Sequence, residues 1–191
     1  MASTRLASAA KLADTRIPAH RPTVPVCTGA CVIEALQLLF LLFVANGAPI
    51  LATRVLDTAG DHPIDGGRSF LDGRPLFGPS KTWRGLGVAL LASTLAALLL
   101  GWPAEIGLLI GAAAMLGDLL SSFLKRRLGL ASSAQALGID QVPEALLPLL
   151  AVRETLALDG WVIAALVAAF VVLELLLSRL LYRLHIRRQP Y

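Results

Sequence analysis

Charged residues are scarce in this chain. Only 16% of its 191 residues are Asp, Glu, Lys or Arg, well below the roughly 25% of a typical soluble domain, which argues against a soluble protein. Aromatic residues account for 6% and are not interleaved with the basic ones, which argues against nucleic-acid binding. The two cysteines, Cys27 and Cys31, are too few for a disulfide framework or a zinc site, so we interpret them as small, inert side chains.

Apolar residues dominate instead. They make up 56% of the chain, and several runs approach the roughly 20 residues that a helix needs to cross a bilayer. The sequence therefore predicts an all-α fold, a polytopic transmembrane helical bundle with about five spans, near residues 32–51, 86–100, 105–124, 142–158 and 160–181. The fourth is interrupted by prolines and charges, and a re-entrant or interfacial helix is its alternative.

The distribution of basic residues predicts the orientation. Lys and Arg concentrate in the loops after the first and third spans and in the C-terminal tail, which places these segments in the cytoplasm and the N-terminus outside. Arg16 and Arg21 in the N-terminal tail oppose this orientation, but the other loops agree with one another. We expect residues 1–30 to be a disordered or targeting-like tail. Residues 31–191 should form one membrane-embedded domain in the cell (inner) membrane.

The third span carries polar residues in an unusual arrangement. Because a helix turns about 100° per residue, the sequence AAAMLGDLLSSFLKRRLGL at 112–130 places four polar side chains on one stripe: Asp118, Ser122, Lys125 and Arg126. An acid inside a membrane helix costs roughly 2.5 to 3.5 kcal/mol on insertion scales, so it marks a candidate site. The basic triplet alone has a simpler interpretation, as a cytoplasmic anchor.

Acids and bases from separate segments meet at one surface in this topology, so the active site is expected to face the cytoplasm. The cations are Lys81, Arg84, Lys125 and Arg126, and the acids are Asp118, Asp140 and Glu144. Carboxylates bind Mg²⁺ together with substrate phosphates and water, while nearby cations offset phosphate charge. The pattern therefore suggests phosphate chemistry on a nucleotide, a lipid or both.

Two further stretches add polar candidates. The loop GRPLFGPSKT at 73–82 is not a Walker A motif, because Pro79 and Ser80 separate the second glycine from Lys81. It is instead a rigid turn or a plain surface loop, and the turn would present Ser80, Lys81, Thr82 and Arg84 together. In the first span, Asn46 either satisfies backbone groups freed by Pro49 or lines a site.

Taken together, these stretches resemble the CDP-archaeol synthases, relatives of the bacterial phosphatidate cytidylyltransferases. The resemblance covers about residues 31 to 190. It is carried by four segments in the expected order: VANGAP at 44–49, LDGRPLFGPSKTWRG at 71–85, GDLLSSFLKRRLGL at 117–130 and Ile139-Asp140-Gln141.

The resemblance implies that a lipid 1-phosphate, archaetidic- or phosphatidic-acid-like, reacts with CTP and Mg²⁺ to give a CDP-activated lipid and pyrophosphate. By matching position, it implies that Asp118 and Asp140 bind metal, that Lys81 and Arg84 hold triphosphate, and that CTP and the lipid phosphate are the partners. The implied catalytic residues are Asp118, Lys125 and Asp140, and the implied substrate-binding residues are Asn46, Ser80, Lys81, Thr82, Arg84, Ser122, Arg126 and Gln141. A homodimer is an open alternative.

One position departs from the family pattern. The family signature has an Asp three residues after the equivalent of Asp140, where this chain has Pro143 followed by Glu144. Either Glu144 supplies the third metal carboxylate, or the site binds metal less well, or the chain belongs to a divergent subgroup with another lipid. Two other hypotheses stay open: an inactive binding or assembly protein of the same fold, and a small ion-coupled transporter using Asp118 and Glu174.

Overall fold

The computed structural model describes residues 29–56, 61–130, 136 and 138–183. These residues form five α-helices and no β-strand, which confirms the predicted all-α class. The helices are α1 (Gly29–Leu56), α2 (Trp83–Leu99), α3 (Ala104–Arg127), α4 (Gln141–Ala151) and α5 (Gly160–Arg183). The predicted tail at 1–30 lies outside the described residues, except for the first two residues of α1.

Three helices are long and apolar enough to cross a membrane: Val32–Val55, Ala104–Arg127 and Gly160–Arg179. Helix α2 is apolar but has 17 residues. The predicted fourth span is shorter than expected, because α4 has 11 residues and thus a length of about 16 Å. It ends before the exposed Arg153 and Glu154. Since the hydrocarbon core is about 30 Å thick, residues 142–158 do not form one spanning helix.

Helix α3 is the centre of the bundle, packed between α2 and α4, and α4 also packs against α5. Glycines one turn apart allow the close contact between α2 and α3. A Cβ atom at Gly107 would lie 2.5 Å from the Ser93 carbonyl oxygen, and one at Gly111 would lie 2.2 Å from the Ser93 hydroxyl. The two backbones therefore touch along this face.

The apolar core joins α1 to the other helices. Leu38, Leu41 and Leu42 of α1 are fully buried, as is Phe170 of α5, whose ring lies 5.0 Å from that of Phe43. Large apolar side chains are also exposed on the outer faces of α1, α2, α3 and α5. Such broad apolar surfaces are expected where helices face lipid rather than water.

The segment between α1 and α2 contains a folded polar loop at residues 61–82. Its ends are joined by backbone hydrogen bonds, from Ile64 N–H to the Lys81 carbonyl at 2.8 Å and from Trp83 N–H to the His62 carbonyl at 3.1 Å. A second pair of contacts closes a hairpin at 68–76, where Ser69 and Pro75 form an antiparallel bridge. The polar loop is therefore an ordered unit placed at the start of α2.

Candidate active site

The polar loop reaches α3 through an ion pair. The Lys81 ammonium lies 2.5 and 2.6 Å from the two carboxylate oxygens of Asp118, and each side chain is about one-fifth exposed. The next residue, Thr82, is the N-cap of α2, and its hydroxyl accepts a hydrogen bond from Gly85 N–H. This cap holds the backbone beside Lys81 in place. The structure thus brings together the loop lysine and the intramembrane acid that the sequence singled out.

Helix α4 adds a second carboxylate to this pair. Glu144 lies near the carboxylates of Asp118 and of Glu174 in α5. Gly117 makes the approach geometrically feasible, because a Cβ atom there would lie 2.3 Å from the Pro143 carbonyl oxygen. The residue that departs from the family pattern, Pro143, is therefore the one that touches α3, and its neighbour Glu144 turns towards Asp118.

A second ion pair lies further along α3. The Lys125 ammonium is 2.7 Å from one Asp140 carboxylate oxygen, and both side chains are largely buried. The other oxygen of Asp140 accepts a hydrogen bond from Ala136 N–H at 3.1 Å. Lys125 follows Asp118 by seven residues, which is about 10 Å along the helix axis. The two pairs are therefore neighbouring centres on one helix.

The carboxylates of this region are the candidate ligands for a divalent metal ion. Among the described residues, no group of three or more His, Cys, Asp or Glu side chains could hold a metal. Asp118, Asp140 and Glu144 are thus not gathered into one such group, and Asp140 instead pairs with Lys125. Asp118 with Glu144 still fits Mg²⁺ chemistry, which typically uses one or two carboxylates and completes its octahedron with phosphates and water.

A small cavity of about 40 Å³ adjoins the Lys81–Asp118 pair. Ser80 and Thr82 line its polar side, and its apolar wall comes from Pro49, Ile64, Leu86, Met115 and Leu119. Because one water needs roughly 10 to 15 Å³ of such space, the cavity holds a few water-sized groups. Charged and apolar side chains therefore line the same cavity. Binding a phosphate group that is attached to a lipid chain requires both kinds of surface.

Other predicted site residues have local partners. Arg84 pairs with Asp61 at 3.3 Å, and an Arg126 guanidinium nitrogen donates to the Leu130 carbonyl at 2.7 Å. Ser122 is buried on α3. The partners of Arg84 and Arg126 are therefore groups of the protein itself, close in sequence to the two ion pairs.

Two predicted substrate-binding residues form local hydrogen bonds to the backbone. The Asn46 amide donates to the Leu42 carbonyl at 2.9 Å, which is one turn back in α1 and is not the Ala45 carbonyl that Pro49 leaves without its usual donor. The Gln141 side chain accepts from Gly138 N–H at 2.9 Å. Neither lines the cavity beside Asp118, so their proposed contact with substrate stays a prediction.

Asp65, which the sequence did not single out, organises the polar loop. Its buried carboxylate accepts hydrogen bonds from the N–H groups of Gly67, Phe77 and Gly78 at 2.9 to 3.0 Å. Burial opposes ionisation of Asp65, but these N–H groups outweigh it together, and they lower the pKa of this carboxyl below its ordinary value. The available signal was Asp-Gly-Gly at 65–67, a typical turn in which Asp bonds to a backbone N–H two residues on.

The lowered pKa of Asp65 predicts how loop stability depends on pH. The stabilisation is fully present above the unfolded-state pKa of about 3.9 and is lost as pH falls through the lowered folded-state pKa. We expect hydrogen-exchange protection at Phe77 and Gly78 to fall in this acidic window. Asp65→Asn should reduce protection at neutral pH by about tenfold or more, since bonds to charged groups are the stronger ones. Equal protection in both proteins at neutral pH would contradict this role.

Comparisons with known proteins identify the family of this chain. A model of the CarS-like family, described as CDP-archaeol synthase, matches residues 30–107 and 102–191. The CDP-archaeol synthase of Pyrobaculum calidifontis is 32% identical over 170 residues, which cover 83% of this chain and 99% of that protein. That of Hyperthermus butylicus is 42% identical over 116 residues, covering 58% of this chain and 66% of that protein.

A solved structure, described as an intramembrane enzyme for archaeal membrane lipid biosynthesis, is also similar. Its TM-score is 0.63 at 32% identity, with 77% of this chain and 94% of that chain covered. The family predicted from the four sequence segments is confirmed by the family model and by these relatives. The chain belongs to the CDP-archaeol synthase family.

Proposed function

We propose that this protein is a CTP-dependent cytidylyltransferase that converts an archaetidic-acid-type lipid phosphate into a CDP-activated lipid and releases pyrophosphate. The observation that carries the proposal is the contact of Lys81 with Asp118, where a polar loop meets an acidic residue inside an apolar helix. The names of the relatives support the same activity. The inactive-protein and transporter hypotheses receive no support from them.

The proposed reaction joins two anions. An oxygen of the lipid phosphate attacks the α-phosphorus of CTP, a new P–O bond forms, and the bond to pyrophosphate breaks, so no protein nucleophile is needed. A divalent cation, proposed as Mg²⁺ and held by Asp118 and Glu144, would supply charge neutralisation between the two phosphates. Lys81 would leave part of its contact with Asp118 to face phosphate oxygens, with Arg84 beside it.

The second ion pair has a supporting role in this proposal. Lys125 and Arg126 place two positive charges at the end of α3, and Asp140 neutralises the first of them. Together with Ser122 they give the polar face on which the lipid phosphate would be oriented next to the nucleotide. This arrangement is expected because bringing two anions together is the main obstacle to the reaction.

We further propose that the polar loop and the end of α3 face the cytoplasm at the surface of the cell membrane. The basic residues of both segments support this orientation, and the apolar outer surfaces of the helices support the membrane location. CTP would enter from the aqueous side, and the lipid phosphate would enter laterally from the bilayer. A homodimer stays a prediction.

The test is pyrophosphate release by the purified protein in lipid nanodiscs. With CTP and a divalent cation, archaetidic acid should give turnover, and phosphatidic acid should be compared in parallel. Turnover with neither lipid, combined with undetectable CTP binding, would overturn the proposal in favour of an inactive protein. Ion-driven solute uptake into vesicles without CTP would favour the transporter hypothesis.

A further inference from the structure

The end of α3 holds the tip of the polar loop through a dense set of contacts. We call this set the hairpin clamp: Phe70, Asp72 and Arg74 of the loop with Phe123 and Arg127 of α3. The Arg127 guanidinium lies 2.9 Å from the Asp72 carboxylate and donates to the carbonyls of Arg74 and Pro75 at 3.2 and 2.6 Å. One arginine therefore binds both a side chain and the backbone of the hairpin.

Aromatic rings complete the contact around Arg127. Its guanidinium carbon lies 4.9 Å from the ring centres of both Phe70 and Phe123, within the range of a cation–π interaction. The two rings are 5.4 Å apart in an edge-to-face arrangement. A planar guanidinium can stack on rings and donate to carbonyls at the same time, which a lysine cannot do.

The contact is reciprocal. Arg74 of the loop donates from one guanidinium nitrogen to the carbonyls of Arg126 and Arg127, at 3.2 and 2.6 Å. These carbonyls belong to the last turn of α3, where backbone acceptors lack helical partners and the helix dipole favours a cation. Each arginine thus binds the backbone of the opposite segment, so the hairpin and the helix end hold each other.

The hairpin clamp lies at a distance from the Lys81–Asp118 pair. Arg127 follows Asp118 by nine residues, which is about 13 Å along α3. The polar loop is therefore attached to α3 at two points, by its tip at Arg127 and by Lys81 near its end. If the tip is released, the Lys81–Asp118 pair still joins the loop to the helix, but the loop loses its attachment at Arg127.

We infer that Arg127 and Arg74 are positioning residues, which keep the polar loop docked so that Lys81 lies at the phosphate-binding position. This inference rests on the proposed function of Lys81. If only a fraction of molecules have the loop docked, the apparent affinity for CTP falls by that fraction, while saturating CTP restores the docked form. The expected signature is a raised KM for CTP at a nearly unchanged kcat.

The experiment compares Arg127→Ala and Arg74→Ala with Arg68→Ala in nanodiscs. Arg68 is an exposed arginine of the same hairpin, so its variant matches the loss of charge. Both clamp variants should raise the KM for CTP by about tenfold with kcat within about twofold of the original, and Arg68→Ala should not. A reduced kcat at unchanged KM, or an unchanged KM in both clamp variants, would overturn the inference.

Hydrogen exchange gives a second readout that does not depend on turnover. The N–H groups of Phe70 and Leu76 close the hairpin through bonds to the Arg74 and Arg68 carbonyls. Both clamp variants should lose protection there while α2 and α3 keep theirs. If the unaltered protein had no activity, the proposed function would fail, and unchanged hairpin protection would separately overturn the clamp. If Arg127→Ala does not fold, the same measurements on Arg74→Ala test the inference.

Discussion

Asp118→Asn should reduce lipid-dependent pyrophosphate release by at least about 100-fold, the order expected when one electrostatic contact to a transition state is removed. The substitution keeps the size of the side chain but removes its charge. Lys81 then lacks the carboxylate that lies 2.5 Å from it, and the proposed metal loses one of two ligands. The variant therefore loses both the partner of Lys81 and a proposed metal ligand, and for this reason we expect a large effect.

The control for Asp118→Asn is Glu105→Gln, an exposed acid in the first turn of the same helix. It removes the same charge near the start of α3, 13 residues before Asp118, and should leave turnover within about twofold, as for most surface substitutions. Thermal unfolding of both variants should be followed in parallel. An unchanged kcat/KM in Asp118→Asn would refute the assignment of Asp118 as a metal ligand.

Gly117→Ala should have the second large effect, although it removes no functional group. The added Cβ atom would meet the Pro143 carbonyl oxygen at 2.3 Å and the Glu144 nitrogen at 2.8 Å. Both are backbone atoms, so α3 and α4 must separate. A displacement of about 1 Å in an active site can cost about 100-fold in rate, and Glu144 would move away from Asp118. We expect kcat/KM to fall by about that factor.

Gly87→Ala is the matched control, because Gly87 is a helical glycine of α2 where an added Cβ atom would meet no neighbouring atom within 4 Å. It should be neutral or slightly stabilising, since Ala is the better helix former. Overpacking at Gly117 should also lower the free energy of unfolding by about 1 to 3 kcal/mol. Full activity in Gly117→Ala would show that the closeness of α3 and α4 is not needed.

Run length and hydropathy predicted the long apolar helices. The spans near 86–100, 105–124 and 160–181 correspond to α2, α3 and α5, because apolar runs of this length have few alternatives in a membrane. The fourth prediction extended too far, since α4 ends at Ala151, just before Arg153 and Glu154, which the predicted span included.

Charge reasoning placed the polar loop next to α3 but could not assign partners. The sequence grouped the cations as one set, whereas the structure separates them into the pairs Lys81–Asp118, Lys125–Asp140 and Arg84–Asp61. Such pairing depends on how the segments pack, as in the backbone contact of Gly117 in α3 with Pro143 in α4. The hairpin clamp was likewise beyond prediction, because residues 52 or 53 positions apart in sequence form its hydrogen bonds.

Tracing the phosphates of CTP tests the central claim most directly. CTP labelled at the α-phosphate should transfer its label to the lipid when archaetidic acid is present, while label at the γ-phosphate should leave in pyrophosphate. Transfer should disappear in Asp118→Asn. Label that never reaches the lipid in the unaltered protein, or reaches it equally in the variant, would contradict the account.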